Sequence, residues 1–323
     1  MRQKQTGCGA PPLPKFMSGR GRITLMKRAL RGYEKRDMVG FLYIMPWIVG
    51  FCFLQLLPFA RSLMFSFTNL KVSGTGNYIG LANYIRAFTK DSLFSQSVSV
   101  TLRYLLYALP CKIVFALLIA MILNMKIRGI NLFRTLYYLP SILGGSVAIS
   151  ALWRVMFASN GVINNMLAPL GIVGQSWLGS PKYALGTLSI IDVWQFGSSM
   201  VLFLAALKQV PNELYDAASV DGAGKIRTFF HITIPMISPV LFFNIIMQTI
   251  NMLQNFTSSF VVTGGGPMRS TYVIAMKLYE DAFSNYNMGY ACAESWIVFV
   301  CIMIFTIVYF KTSRLWVHYG DGR

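Results

Sequence analysis

Four side-chain amides, Asn244, Gln248, Asn251 and Asn255, stand 4, 3 and 4 residues apart within a long apolar run, with Gln254 beside them. At about 100° per residue on a helix they share roughly a 60° arc. An amide both donates and accepts, so such a stripe can bind the hydroxyls of a sugar or bond one helix to another. Three ionisable residues lie in similarly apolar surroundings: Lys112, Asp192 and Glu294. Facing lipid at mid-bilayer, each would cost about 2.5–3.5 kcal/mol, so each needs a partner. Lys112 is expected to pair with Asp192 or with a neighbouring subunit. Asp192, with Gln195 three residues on, is a second candidate to line a polar route.

Covalent chemistry has little to work with. His231 and His318 are the only histidines, and the five cysteines form no metal-ligand or redox spacing. "TGGGP" at 263–267 lacks the Gly-Lys-Ser/Thr ending of a phosphate-binding loop and reads as a turn. No catalytic residue, metal or cofactor is expected, and any nucleotide must be hydrolysed by another chain.

The elements that carry these residues are hydrophobic helices. Of 323 residues, 55% are hydrophobic and 12% charged, with mean hydropathy +0.53; soluble domains are about a quarter charged. Six runs are long enough to cross a bilayer, at about 40–60, 104–124, 136–156, 184–207, 240–262 and 291–310. They are continuously apolar, which favours helices over the alternating strands of a barrel. The expected fold is all-α and integral to the membrane, with residues 38–323 as one transmembrane domain. Residues 1–37 read as a basic, flexible cytoplasmic tail lying against anionic lipid, unless translation starts at Met17 or Met26. No signal peptide is read, since a full span follows the tail. Lys and Arg number nineteen on one side of this topology and eight on the other. The excess places both termini in the cytoplasm. The net charge of +18 then reflects topology, and no nucleic-acid partner is expected.

Between the fourth and fifth runs lies "ELYDAASVDGAGKIRTFFHITIPM" (213–236), which holds three of the eleven acidic residues. Pro211 suits a first turn, Glu213 and Asp216 favour the positive end of a helix, and Gly222 stops it after about ten residues. Leu214, Ala217, Ala218 and Asp221 recur at helical spacing, giving a face of mostly small side chains over which another surface can approach closely. Beyond Gly222, Ile226, Phe229 and Phe230 suit a helix grazing the membrane, with Pro235 and Pro239 opening the fifth span.

The segment resembles the EAA motif of permease subunits from ATP-driven, binding-protein-dependent importers: Glu-Ala-Ala, three residues, Gly, nine residues, Ile, one residue, Leu-Pro. Asp216-Ala217-Ala218, Gly222, Ile232 and Ile234-Pro235 keep every spacing, with Asp for Glu and Ile for Leu. "YIGLANYIRAF" (78–88), "RGINLFRTLYYLP" (128–140), "VVTGGGPMRST" (261–271) and "NMGYACA" (287–293) are similar to stretches of carbohydrate permeases. The resemblance implies a coupling helix, with Glu213, Leu214, Asp216, Ala217, Ala218, Asp221, Gly222 and Ala223 meeting an ATPase. It also implies a second, similar permease, two cytoplasmic ATPase copies, an extracellular solute-binding protein and a carbohydrate substrate in a bacterial or archaeal cell membrane. An ion-coupled transporter working alone through Asp192 and Glu294 is the alternative.

Overall fold

A computed structural model describes residues 41–71, 74, 76–125 and 129–318; the basic segment 1–37 lies outside them. The chain divides into two units, Met1–Arg61 and Ser62–Arg323. In the first, the described residues are helical and Trp47 stacks on Phe51 at 5.5 Å. The helices, in chain order, are α1 (Phe41–Ser66), α2 (Ala82–Thr89), α3 (Ser92–Asn124), α4 (Ile130–Leu143), α5 (Val147–Met156), α6 (Val162–Leu167), α7 (Pro181–Trp194), α8 (Gly197–Gln209), α9 (Asn212–Val220), α10 (Lys225–Leu253), α11 (Ile274–Tyr279) and α12 (Met288–Trp316). There is no strand among the described residues.

Four of these helices, α1, α3, α10 and α12, are long and apolar enough to cross a bilayer, and the count rises to six if each of two bent pairs is one span. Those pairs correct the expected third and fourth spans. Residues 136–156 are not one rod: α4 and α5 meet at 101° across Gly144, Gly145 and Ser146. Ser146 caps α5 by accepting from the Ile149 N–H at 3.2 Å, and two adjacent glycines give the preceding turn little reason to stay helical. Residues 184–207 likewise bend by 47° between α7 and α8. Hydropathy averages over such breaks and cannot see them.

The second and fifth spans are also corrected. α3 starts at Ser92, twelve residues before the apolar run, because Asp91 caps it: Oδ1 accepts from the N–H groups of Leu93 and Phe94, each at 3.0 Å. The expected start of the fifth span at Pro235 is replaced by a continuous helix from Lys225 to Leu253. It carries a π-helical turn at Phe229–Thr233, just ahead of Pro235. Pro239 cannot donate to the Pro235 carbonyl, and Ser238 Oγ takes that acceptor at 2.7 Å.

α3 is the central column, packed against α7, α8 and α10. Ala108, Ala116 and Ala120 on it are fully buried, and their small side chains let neighbouring helices approach. Two apolar clusters follow one another along it. The first joins Tyr104 and Leu105 to Leu188 and Ile191 of α7 and to Met252 of α10. The second joins Ile113 and Leu117 to Phe196 and Phe203 and to Ile237. The seam between them falls at Lys112, Asp192 and Gln248.

Candidate functional site

At that seam lies a cavity of about 330 Å³. Its walls include Lys112 of α3, Asp192 and Gln195 at the end of α7, Gln248 and Asn251 of α10, and Gln254 and Asn255 just past it. Ser141, Gly144 and Gly145 come from the α4–α5 break, and Ser198 from the start of α8. Three backbone interruptions therefore converge here: the two bent pairs and the C-terminus of α10. Non-helical backbone at membrane depth is tolerated where it lines a cavity, because its polar groups must be satisfied there. Ser141 does this for the α7–α8 bend. Its hydroxyl donates to the Gln195 carbonyl at 3.2 Å and accepts from the Ser198 N–H at 2.9 Å. Gly197 is needed beside it, since an added Cβ would sit 2.7 Å from both Ser141 Oγ and the Tyr137 carbonyl.

Six of the seven residues expected along a polar route line this cavity; Asn244 is not among them. It is buried one turn before Gln248, and its amide donates to the Val240 carbonyl at 3.1 Å. The helical arc also ends earlier than expected, because Gln254 caps α10 and Asn255 lies beyond it. Gln248 donates to Ser199 Oγ at 3.1 Å, and Asn255 donates to the Tyr104 hydroxyl at 2.7 Å. Lys112 and Asp192 form the anticipated pair, Nζ to Oδ1, at 3.4 Å. Asp192 Oδ2 is buried with no hydrogen-bond partner. Ser141, Ser198 and the glycines were absent from the expected site, although a Gly-Gly-Ser run inside an apolar stretch is a usable sign of a break.

The second ionic centre was visible from sequence only through Glu294. Lys277 Nζ stands 2.5 Å from Asp281, 2.8 Å from Asp91 and 2.8 Å from Glu294. The Tyr290 hydroxyl donates to Asp91 at 2.8 Å, Asn285 donates to Asp281 at 2.9 Å, and Arg86 lies over the Tyr290 ring at 4.1 Å. Burial alone would lower the Lys277 pKa; the Glu294 carboxylate and hydrogen bonds to Asp281 and Asp91 carry it above the ordinary lysine value. For Asp91 burial pushes upward, and hydrogen bonds from Lys277, Tyr290 and the Phe94 N–H bring the carboxyl below its ordinary value. Oxygens of Asp91, Asp281 and Glu294 lie within 4.8 Å of one another, close enough for a metal ion. The Lys277 ammonium already fills that position.

At the other end of α3 is α9, nine residues long as the segment 213–222 suggested. It ends in a Schellman turn: the Ala223 N–H bonds the Ala218 carbonyl at 2.9 Å, and the Gly222 N–H bonds the Ser219 carbonyl at 3.1 Å. Gly222 has φ +69°, a left-handed conformation that glycine adopts without a Cβ penalty. Glu213, Leu214, Asp216, Ala217 and Asp221 are exposed and Ala223 is half-buried. Ala218, expected on the free face, is buried instead. Tyr215 anchors the helix beside it, packing on the second cluster with its hydroxyl 3.1 Å from Thr233 Oγ1.

A polytopic helical bundle with broken spans around a polar cavity defines a class, membrane transport proteins. Residues 84–317 match the family described as binding-protein-dependent transport system inner membrane component, and the chain belongs to that family. It is 42% identical over 306 residues to the probable ABC transporter permease protein YesP of Bacillus subtilis, covering 94% of this chain and 98% of that one. With the lactose transport system permease protein LacF of Rhizobium radiobacter it shares 33% identity over 303 residues, covering 90% and 98%. In fold it is similar to a chain of a bacterial alginate ABC transporter solved with an alginate pentasaccharide-bound periplasmic protein. The TM-score is 0.75 at 23% identity, over 87% of this chain and 95% of that one.

Proposed function

We propose that this chain is one half of the permease pair of an ATP-driven importer and that it passes a sugar or oligosaccharide through the cavity at the helix breaks. The observation that carries this reading is the convergence of Asp192, Gln195, Gln248, Asn251, Gln254 and Asn255 on one space in a member of a transport family. A volume of about 330 Å³ falls in the range of small-ligand sites. Amides and a carboxylate suit hydroxyl groups. The ligand would arrive from an extracellular binding protein; membership of a binding-protein-dependent family supports this reading. The chain itself performs no covalent step.

ATP hydrolysis would be supplied by two copies of a cytoplasmic ATPase that grip α9. The helix is short, largely exposed and acidic at Glu213, Asp216 and Asp221, so it can meet basic groups in a groove. With α9 in the cytoplasm, both termini lie there too, and Asp91 and Lys277 lie outside the cell. A second, similar permease would complete the pathway at the exposed Asn251 and Gln254. An ion-driven relay through Asp192 and Glu294 loses its support, since each carboxylate faces its own lysine.

The test is co-purification of this chain with its partner permease and ATPase, alongside uptake in vesicles supplied with the binding protein. Gly222→Pro and Asp221→Lys are expected to lower both ATPase recovery and ATP-dependent uptake. Unchanged association together with unchanged uptake would overturn the coupling role of α9.

A further inference from the structure

We infer that the Lys112–Asp192 pair is the specificity element of this cavity, taking an uncharged ligand through neighbouring hydroxyls and turning away carboxylated, sulfonated or phosphorylated ones. The inference rests on the sugar-path reading above and adds the class of sugar to it.

The pair is incompletely used by the protein. Asp192 is 8% exposed, yet Oδ2 has no hydrogen-bond partner. Lys112 is 5% exposed, and its single bond among the described residues is the long 3.4 Å contact to Oδ1. An ammonium has three donors and an ionised carboxylate only acceptor sites, so two N–H groups and one oxygen are left uncommitted by the protein, and a small rotation of the buried Asp192 carboxylate would present that oxygen to a guest. A buried polar atom left without a partner is destabilising, and a ligand that completes it binds with that relief. The two open positions differ in kind. One wants a hydrogen and the other a lone pair, and they sit side by side. Two adjacent hydroxyls on a sugar ring supply both, one donating to Asp192 Oδ2 and its neighbour accepting from Lys112 Nζ.

Two amides of the remaining wall lean the same way, while Gln195, Asn251 and Gln254 keep both donors and acceptors for either kind of ligand. Gln248 and Asn255 commit N–H groups to Ser199 and Tyr104, and their carbonyl oxygens remain as acceptors beside the cavity. Acceptors suit a ligand rich in hydroxyl hydrogens, whereas an anionic group brings only further acceptors. Charge decides the matter. The pair sums to zero, so an anion drawn to Lys112 would lie within a few ångströms of the Asp192 carboxylate, where like charges repel strongly in a poorly hydrated space. Removing the Asp192 charge would free Lys112 to hold an anion.

The experiment measures equilibrium binding to the purified complete transporter, without nucleotide or binding protein. The neutral probes are lactose, maltose and trehalose; the anionic probes are sn-glycerol 3-phosphate and glucuronate. Wild type is expected to bind at least one neutral saccharide more tightly than either anion. Asp192→Asn should weaken neutral binding about tenfold, the size of one charge-assisted hydrogen bond, and strengthen anion binding. The uncharged double variant Lys112→Met/Asp192→Asn avoids a lone buried charge and should show weak binding without discrimination. Failure of all three neutral saccharides to bind, tighter binding of an anion to wild type, or an unchanged neutral-to-anion ratio in Asp192→Asn would overturn the inference. Asn251→Leu separates the two levels. If it leaves all binding intact, the cavity is not the sugar path and the wider reading falls; if it blocks binding while the Asp192→Asn ratio stays fixed, only the present inference falls.

Discussion

Lys277 and Lys112 are both buried beside carboxylates, but Lys277 meets three of them at 2.5 to 2.8 Å while Lys112 meets Asp192 alone at 3.4 Å. The first centre is filled by its own cation, although neither Glu294 oxygen has a hydrogen-bond partner among the described residues. It ties the N-cap of α3 to α11, to the π-helical turn that follows it and to the first turns of α12. Nothing of Lys277 is left over for a ligand. The second centre is open, with an unpartnered oxygen and a loosely held ammonium on the wall of a cavity. Burial of an ion pair therefore does not by itself say what the pair is for. The number of carboxylates that hold the ammonium, and whether a cavity reaches the pair, does.

That contrast can be broken most directly at Lys277. Replacement by Met strands three carboxylates without their cation and should cost about 3–5 kcal/mol, read as a lower thermal unfolding midpoint of the detergent-purified chain. Lys277→Arg should recover part of it. A loss below about 1 kcal/mol would show the centre is not a tie.

Next in size is the response of that centre to pH. Asp91 titrates below its ordinary 3.8 when folded, so its contribution is complete above 3.8 and fades as pH falls through the folded value. Lys277 titrates above its ordinary 10.5, so its contribution is complete below 10.5 and fades as pH rises through the folded value. The stability difference between wild type and Asp91→Asn should shrink as pH falls through the folded Asp91 value.

A smaller effect is expected at the break. Ser141→Ala removes the hydroxyl that serves the Gln195 carbonyl and the Ser198 N–H, a loss of about 1 kcal/mol in stability accompanied by altered ligand binding. Smallest of all should be the uncharged Lys112→Met/Asp192→Asn double variant. It is expected to unfold within about 1 kcal/mol of wild type, because exchanging a buried ion pair for uncharged groups is often neutral. A double variant that unfolds as readily as Lys277→Met would erase the distinction between the two centres.

Local chemistry was legible in the sequence and long-range chemistry was not. Pro211, the acids of the first turn and Gly222 outlined α9 to within a residue or two, because caps and a left-handed glycine act over a few positions. The amides of α10 announced the cavity because their spacing is periodic. The two bends escaped because α4–α5 and α7–α8 stay apolar straight through them. The start of α3 escaped for the opposite reason, since Ser92, Ser95, Gln96, Ser97, Ser99, Thr101 and Arg103 dilute its hydropathy. The Lys277 centre gathers residues 91, 277, 281 and 294. Only the step from 277 to 281 is local, so periodicity could indicate that Glu294 needs a partner but not which one.

One further property of α10 bears on how motion could travel. It runs as one helix from Lys225, three residues past the Gly222 turn, to Leu253 beside the cavity, roughly 43 Å at about 1.5 Å per residue. Its ladder is interrupted at the π-helical turn 229–233 and at Pro239, so a tilt imposed on the first turn can bend the helix there, and only residues 240–253 carry it on to Gln248 and Asn251 as an unbroken ladder. The kinked pairs can fold at their joints while the stretch from 240 to 253 swings, and the two kinds of wall would open or shut the space between them.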